Sequence, residues 1–213
     1  RRLPAEGLDA LVGRGVYYGA APHEAVACRD SHVYVVGGAN SAGQAALHFA
    51  EYAGRVTVLV RGESLTRSMS HYLIERIEAH PRIEVRTCTE VVAGAGDGHL
   101  QQLTLRDNRG GELQTVDADR LFVFIGARPH TDWLGERFVR DERGFLLTGP
   151  DLVVDGRPPP GWPLARNPYF LESSVPGVFV AGDVRAESVK RVASAVGEGA
   201  MAVTLVHRYL ERR

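Results

Sequence analysis

A run of small residues separates an apolar stretch from a segment with helical spacing, and such an arrangement can bind phosphate. The run is Gly37-Gly38-Ala39-Asn40-Ser41-Ala42, a G-x-A-x-x-A variant of the dinucleotide fingerprint. Gly37 permits a tight turn, Ala39 allows the backbone to approach a pyrophosphate, and Ala42 permits close packing of helix on strand. The amino end of the following helix would offer N–H groups and a positive dipole end. The sequence therefore predicts a nucleotide site, and the alternative is a turn whose small residues serve packing alone.

The end of the next apolar stretch bears on which nucleotide is bound. A unit that binds NAD usually has Asp or Glu about 20 residues further on, where the carboxylate binds the ribose 2′-OH. Here Arg61 follows the stretch, and its guanidinium could form a bidentate contact with a 2′-phosphate, with Arg67 assisting. Glu63 stands near the same distance and favours NAD, and a solvated surface arginine is a further alternative for Arg61. We favour NADPH over NADH.

The apolar pattern supplies the elements that must position these residues. Strands and helices alternate through the first 126 residues, which is typical of a doubly wound α/β unit with a Rossmann-like three-layer fold. A short helix is expected from Ala20 or Pro22 to Cys28, after a loop or extended entry. The pattern further predicts buried strands at 32–37, 55–60, 82–92 and 121–125, helices at 39–53 and 68–80, and an inserted β-hairpin from 100–106 and 112–116.

The chain changes character near Gly126, which we interpret as a domain boundary. Residues 10–126 would form a nucleotide-binding domain and residues 127–213 a second domain. The segment 149–168 is rich in proline and predicts an irregular connection. A short buried strand is expected at 177–181 and a long helix at 188–210.

Composition excludes several classes of protein. The 213 residues include 25 basic and 26 acidic side chains, for a net charge of −1, which argues against a nucleic-acid partner. No apolar run reaches the roughly 18 residues that a membrane span needs. The two cysteines, Cys28 and Cys88, belong to no CxxC, and no Cys/His cluster has the spacing of zinc ligands, so we expect no metal. A reducing cytoplasm fits two unpaired cysteines.

Several motifs, in one order and across nearly the whole chain, resemble the flavin-dependent thioredoxin reductase family. The resemblance implies an enzyme that passes hydride from NADPH to FAD in a homodimer. The motifs are Gly13-Arg14-Gly15-Val16-Tyr17-Tyr18 at the entry to the NADPH domain, Val35 to Ala42 as its turn, Val60-Arg61 where the family has His-Arg-Arg, Ile125-Gly126-Ala127-Arg128-Pro129 on the return, Gly177 to Val184 as the C-terminal flavin motif, and Ala195 to Gly199 in the next helix.

The resemblance also implies roles for single residues. Asp183, after Gly182, would hold the ribityl chain of FAD, although a plain turn or helix cap is the alternative. Arg191 and Val192 would lie beside the flavin ring, and Arg191 departs from the family's usual glutamine. Residues 190–199 most closely resemble actinobacterial thioredoxin-reductase-like proteins, some of which carry a fused cyclic-nucleotide-binding domain.

Two departures from the family change the expected chemistry. Its redox-active Cys-Ala-x-Cys would fall on Gly19-Ala20-Ala21-Pro22, and Gly19 and Pro22 supply no thiols for a disulfide relay. The family's N-terminal FAD-binding half has no counterpart in these residues, so we expect this chain to be the C-terminal portion of a longer flavoprotein, with residues 127–213 as the C-terminal part of its FAD-binding domain. Electrons would leave to a redox protein or a small-molecule acceptor. The alternative is a regulatory module that binds NADPH without turnover.

Overall fold

A computed structural model describes residues 1–19 and 22–212, without the side chains of residues 22 and 23. The chain divides into two compact units, Arg1–Gly126 and Ala127–Arg213. In the first unit, apolar residues fill a parallel sheet because its strands are covered on both faces. Its strands, in the order β1-β8-β2-β3-β4, are β1 (Val16–Tyr18), β8 (Arg120–Val123), β2 (His32–Val36), β3 (Arg55–Leu59) and β4 (Ile83–Arg86).

Three helices of this unit are α1 (Pro22–Val26), α2 (Asn40–Ala50) and α3 (His71–Glu78). Small side chains such as Ala42 and Ala46 let α2 lie close to the sheet, and both are fully buried. Phe49 of α2 meets Phe122 of β8 with ring centroids 4.1 Å apart. This cluster also includes apolar side chains from one face of β2 and β3 and from α3, so it joins the helical layer to the sheet.

A second, antiparallel sheet forms the third layer of the unit. Its strands are β5 (Thr89–Ala95), β6 (Gln102–Asp107) and β7 (Leu113–Asp117), with a register shift between Val91 and Ala93. Leu100, Leu103 and Leu105 are buried in a core cluster with Leu121 of the parallel sheet. The Rossmann-like α/β fold predicted from the sequence is therefore confirmed, together with its inserted hairpin.

Several boundaries differ from the prediction. The expected single strand at 82–92 is two strands in two sheets, because Cys88 adopts a φ of +50° and turns the chain between β4 and β5. The entry expected to be irregular contains a 3₁₀ turn (Leu8–Leu11) and β1, an edge strand of the parallel sheet. The helices α2 and α3 are shorter than predicted, and α1 begins at Pro22, with Ala20 and Ala21 outside the described residues.

The second unit has little regular structure among its described residues. It contains 3₁₀ turns at Gly149–Leu152 and Gly182–Val184 and one helix, α4 (Val192–Glu211). The strand predicted at 177–181 is wrong, since only a single bridge joins Glu172 to Phe179. The long helix starts four residues later than predicted, at 192 rather than 188, because Ser188 and Lys190 donate to the preceding carbonyls of Arg185 and Asp183.

A buried carboxylate organises the irregular part of this unit. Glu172 has no exposed surface and accepts two bonds from the guanidinium of Arg166, at 2.6 and 3.0 Å. It also accepts the backbone N–H groups of Tyr169 and Gly177 at 2.9 and 2.8 Å. Burial alone would raise the pKa of Glu172, but these hydrogen bonds outweigh it and hold the pKa below its usual 4.5. The ionised carboxylate therefore stabilises the fold at neutral pH.

Glu172→Gln should destabilise the second unit by about 3–5 kcal/mol at neutral pH, because Arg166 would lose the carboxylate that pairs with it. The contribution is lost as pH falls through the lowered folded-state pKa, so the difference between wild type and variant should shrink below pH 4.5. Both tryptophans, Trp133 and Trp162, lie in this unit, so urea unfolding followed by tryptophan fluorescence reports on it.

Glu136→Gln is the matched control, because Glu136 is exposed and forms no hydrogen bond or ion pair with a described residue. Equal stability of the Glu172 and Glu136 variants would contradict a central role for the buried carboxylate.

Candidate functional site

The small-residue turn lies where β2 meets α2. Gly37 has a φ of +151°, and a Cβ placed on it would lie 2.7 Å from the carbonyl oxygen of Phe124 and 2.9 Å from the Cβ of Ala42. Its N–H donates to the carbonyl of Leu59 at 3.1 Å. The turn is therefore wedged against the ends of neighbouring strands, and only glycine fits at its first position.

The amino end of α2 carries free hydrogen-bond donors. Ala39 precedes the helix with extended backbone and no side-chain cap, and its carbonyl accepts from Ala42 and Gly43. The N–H groups of Asn40 and Ser41 donate to no acceptor among residues 1–19 and 22–212. Ala39, Asn40 and Ser41 are exposed, so these donors and the positive helix end are open to an anion.

Two serines that the sequence analysis did not assign hold this turn. Ser68 Oγ donates to the carbonyl of Gly38 at 2.8 Å. The side-chain oxygen of Asn40 accepts the N–H and the hydroxyl of Ser70 at 2.8 and 3.1 Å. Asn40 is thus tied to the loop before α3. The Ser-x-Ser spacing just before α3 is the only sequence signal that could have indicated them.

Arg61 lies just after β3, and its side chain is 84% exposed. Its Nε is 3.9 Å from a carboxylate oxygen of Glu90, whose other oxygen accepts Arg106 Nη2 at 2.9 Å. Arg67 is also exposed and forms no hydrogen bond or ion pair with a described residue. Glu63, the residue that favours NAD, is exposed as well. The structure therefore leaves the choice between NADPH and NADH as a prediction.

Gly126 ends the first unit, just beyond the strand that approaches the turn. It has a φ of +82°. Phe124, two residues earlier, donates to the carbonyl of Val36 at 2.8 Å and so joins β8 to the start of the turn.

In the second unit, Gly182 begins a tight turn that α4 stabilises. Its N–H donates to one carboxylate oxygen of Glu198 at 2.6 Å, and the other oxygen accepts Arg185 Nη2 at 2.6 Å. The hydrogen bond from Arg185 is the main reason that the pKa of Glu198 lies below its usual value. Sequence reasoning did not assign Arg185 or Glu198, although Glu198 lies within the quoted Gly-Glu-Gly segment.

A cavity of about 680 Å³ lies beside this turn, within the second unit. Asp183 lies at it with an exposed carboxylate, which forms no hydrogen bond or ion pair with a described residue. The sole lysine, Lys190, donates to the carbonyls of Asp183 and Arg185 at 2.9 and 3.4 Å. The cavity brings together four residues predicted as a flavin site, and its lining is Ala181, Gly182, Asp183, Lys190, Arg191, Val192, Ala195 and Val196.

The residues at the family's dithiol position are only partly described. Gly19 has a φ of +85° and donates to the carbonyl of Val123 at 3.1 Å, while Ala20 and Ala21 lie outside the described residues. Cys28 and Cys88 are free and buried. Burial raises the pKa of the Cys28 thiol, and a protonated thiol is a poor nucleophile. No helix in the described part of the chain is long and apolar enough to cross a membrane.

The first unit has a Rossmann-like fold, as its parallel sheet, its glycine turn and the uncapped α2 indicate. Many proteins of this fold class bind dinucleotides. The sequence pattern of the pyridine nucleotide-disulphide oxidoreductase family matches residues 1–199, and the chain belongs to that family.

Several known proteins are similar to this chain over nearly its whole length. Thioredoxin reductase of Treponema pallidum is 29% identical over 211 residues, covering 99% of this chain and 61% of that protein. A subunit of alkyl hydroperoxide reductase from Staphylococcus epidermidis is 29% identical over 213 residues, covering 100% and 38%. The crystal structure of thioredoxin reductase from Streptococcus pyogenes has a TM-score of 0.72 and 25% identity, covering 100% of this chain and 63% of that one. The chain thus spans less than two thirds of each relative.

Gly37→Ala should lower the free energy of unfolding by about 1–3 kcal/mol, because the added methyl group must displace Phe124 or Ala42. Gly62→Ala is the control, since a Cβ there meets no atom within 4 Å. Urea unfolding followed by far-ultraviolet circular dichroism measures both variants. Equal stability of the Gly37→Ala and Gly62→Ala variants would contradict the close contact of Gly37 with Phe124 and Ala42.

Proposed function

We propose that this chain is the NADPH-binding part, with a portion of the FAD-binding part, of a flavoprotein oxidoreductase of the thioredoxin reductase type. The turn from Gly37 to Ala42 would bind the pyrophosphate, and Arg61 and Arg67 the 2′-phosphate. Gly126 would lie on the nicotinamide side of the turn. On the flavin side, Gly182, Asp183, Arg191 and Val192 would contact FAD.

The observation that carries this proposal is the open amino end of α2. Two backbone N–H groups, of Asn40 and Ser41, have no acceptor among the described residues, at a helix end that carries positive partial charge. A pyrophosphate would supply the missing acceptors. The Arg61 guanidinium, which lies 3.9 Å from Glu90, adds the cation that a 2′-phosphate needs.

The residues of the second unit fit a flavin in the chemistry of their donors and acceptors. The carboxylate of Asp183 is an acceptor without a described partner, which suits the hydroxyl groups of a ribityl chain. The hydrogen bonds of Glu198 fix the backbone at Gly182, so Asp183 is held in place. Bound together, the two cofactors would supply the chemistry of hydride transfer. This chain's residues would bind and orient them.

The electron acceptor must be reached without a dithiol at residues 19–22, because Gly19 and Pro22 have no thiols. We propose that a redox protein or a small molecule accepts the electrons. The name of one relative, a thioredoxin reductase, favours a redox protein as the acceptor. We further propose that the protein is a homodimer, that it works in the cytoplasm, and that it belongs to the actinobacterial branch of the family.

One observation favours a second candidate, a module that binds NADPH as a sensor without turnover. The sequence has no cysteine at 19–22, and both of its cysteines are buried. The retained Gly182-Asp183 turn and its cavity argue for a flavin and hence for the enzyme.

Anaerobic NADPH should bleach the flavin absorbance of the protein that carries this sequence, purified with its flavin. Bleaching should persist when Cys28 and Cys88 are both changed to Ser, because neither thiol is placed on the electron path. Absorbance that NADPH leaves unchanged would favour the sensor. Bleaching lost only in the double variant would show that a cysteine takes part.

Arg61→Ala should weaken NADPH binding by about 1–3 kcal/mol, the usual contribution of a charge-assisted hydrogen bond, and leave NADH binding nearly unchanged. The 213-residue chain can be titrated with each nucleotide, following nicotinamide fluorescence. Arg76→Ala on α3 is the control, because Arg76 is exposed and contacts no described residue through a hydrogen bond or ion pair. Equal losses for both nucleotides would refute the assignment of Arg61.

A further inference from the structure

The tip of the hairpin between β6 and β7 has a fixed shape. The N–H of Gly111 donates to the carbonyl of Asp107 at 2.8 Å, and the N–H of Asp107 donates to the carbonyl of Glu112 at 2.9 Å. The carboxylate of Asp107 accepts the backbone N–H of Arg109 at 2.7 Å. The backbone that carries the Arg109 side chain is therefore well defined.

This tip is attached to the segment that carries Arg61. The N–H of Asn108 donates to the carbonyl of Cys88 at 2.7 Å, and the N–H of Cys88 donates to the carbonyl of Gly62 at 2.8 Å. The side-chain amide of Asn108 donates to the carbonyl of Arg61 itself at 3.4 Å. Hydrogen bonds thus join the hairpin tip to the segment that follows β3. The sequence analysis gave the hairpin no role.

Neither Arg61 nor Arg109 has a close counter-ion. Arg109 is exposed, and its Nη2 donates to Thr87 Oγ1 at 3.3 Å, but it forms no ion pair with a carboxylate in the described part of the chain. Arg61 is 3.9 Å from Glu90, whose carboxylate already binds Arg106 at 2.9 Å. Two guanidinium groups are thus available to an anion at the same end of the sheet.

We propose that Arg109 is a third arginine for the 2′-phosphate of NADPH and acts together with Arg61 and Arg67. A phosphate monoester carries about −1.5 to −2 charges at neutral pH and three acceptor oxygens, so it can bind more than one guanidinium. The contacts of Asn108 with Arg61 and Cys88 make Arg109 a specificity-determining residue that reaches the site from the second sheet. This inference rests on the proposed binding of NADPH.

The test is calorimetric titration of the 213-residue chain with 2′,5′-ADP and with 5′-AMP, which differ only in the 2′-phosphate. Arg109→Ala should weaken 2′,5′-ADP binding about tenfold and leave 5′-AMP binding unchanged. Arg109→Lys should retain part of the affinity, because it keeps the charge without the fork of donors. Arg76→Ala serves as the control, and thermal unfolding verifies that each variant is folded.

Two results would overturn the inference, and they differ in what they say about NADPH. If Arg109→Ala binds 2′,5′-ADP as tightly as wild type while Arg61→Ala does not, Arg109 plays no part and the proposed nucleotide stands. If the unaltered chain binds 2′,5′-ADP and 5′-AMP with equal affinity, the result contradicts both the role of Arg109 and the proposed preference for NADPH. Added salt should narrow the difference between wild type and Arg109→Ala, because exposed charges are screened.

Discussion

The turn between β2 and α2 depends on one steric constraint, the close approach of Gly37 to Phe124 and Ala42. A Cβ on Gly37 would lie 2.7 Å from the carbonyl oxygen of Phe124 and 2.9 Å from the Cβ of Ala42, so no side chain fits between the end of β8 and the first turn of α2. Small buried residues along α2, Ala42 and Ala46, continue this approach down the helix. Because the helix lies so close to the sheet, its first N–H groups emerge at the ends of the parallel strands, where open α/β sheets bind ligands.

In both units, a side chain from another element holds the backbone of the tight turn, and the following helix has no side-chain cap. Ser68 holds the carbonyl of Gly38 before α2, and Glu198 holds the N–H of Gly182 before α4. The cap residues, Ala39 and Arg191, accept no N–H through their side chains. A good cap stabilises a helix by about 1 kcal/mol. Both helices forgo that stabilisation, as does α3, whose cap residue Ser70 also accepts no N–H through its side chain.

Local patterns predicted the elements whose burial is continuous, such as β2, α2 and β3. They failed for β1, three residues between Gly15 and Gly19, because its place in the sheet comes from pairing with β8, far away in the sequence. They also failed at Cys88, whose positive φ no local pattern signals. The turn residues of the candidate site could be predicted, since glycine and alanine are required there. The residues that hold the turns could not, because serine and glutamate acquire those roles only through tertiary contacts.

Four arginines of the two units differ in their counter-ions: two form close ion pairs with buried or half-buried carboxylates, and two are exposed without a close carboxylate. Arg166 and Arg185 of the second unit form ion pairs at 2.6 Å with carboxylates that also accept backbone N–H groups, so their charges are already neutralised. Removing one member would leave a charge without its partner, which is why such pairs shape the backbone. Arg61 and Arg109 of the first unit are exposed and lack a close carboxylate. Exposed pairs contribute little to stability, so an arginine without one costs the fold little and remains available to an anion.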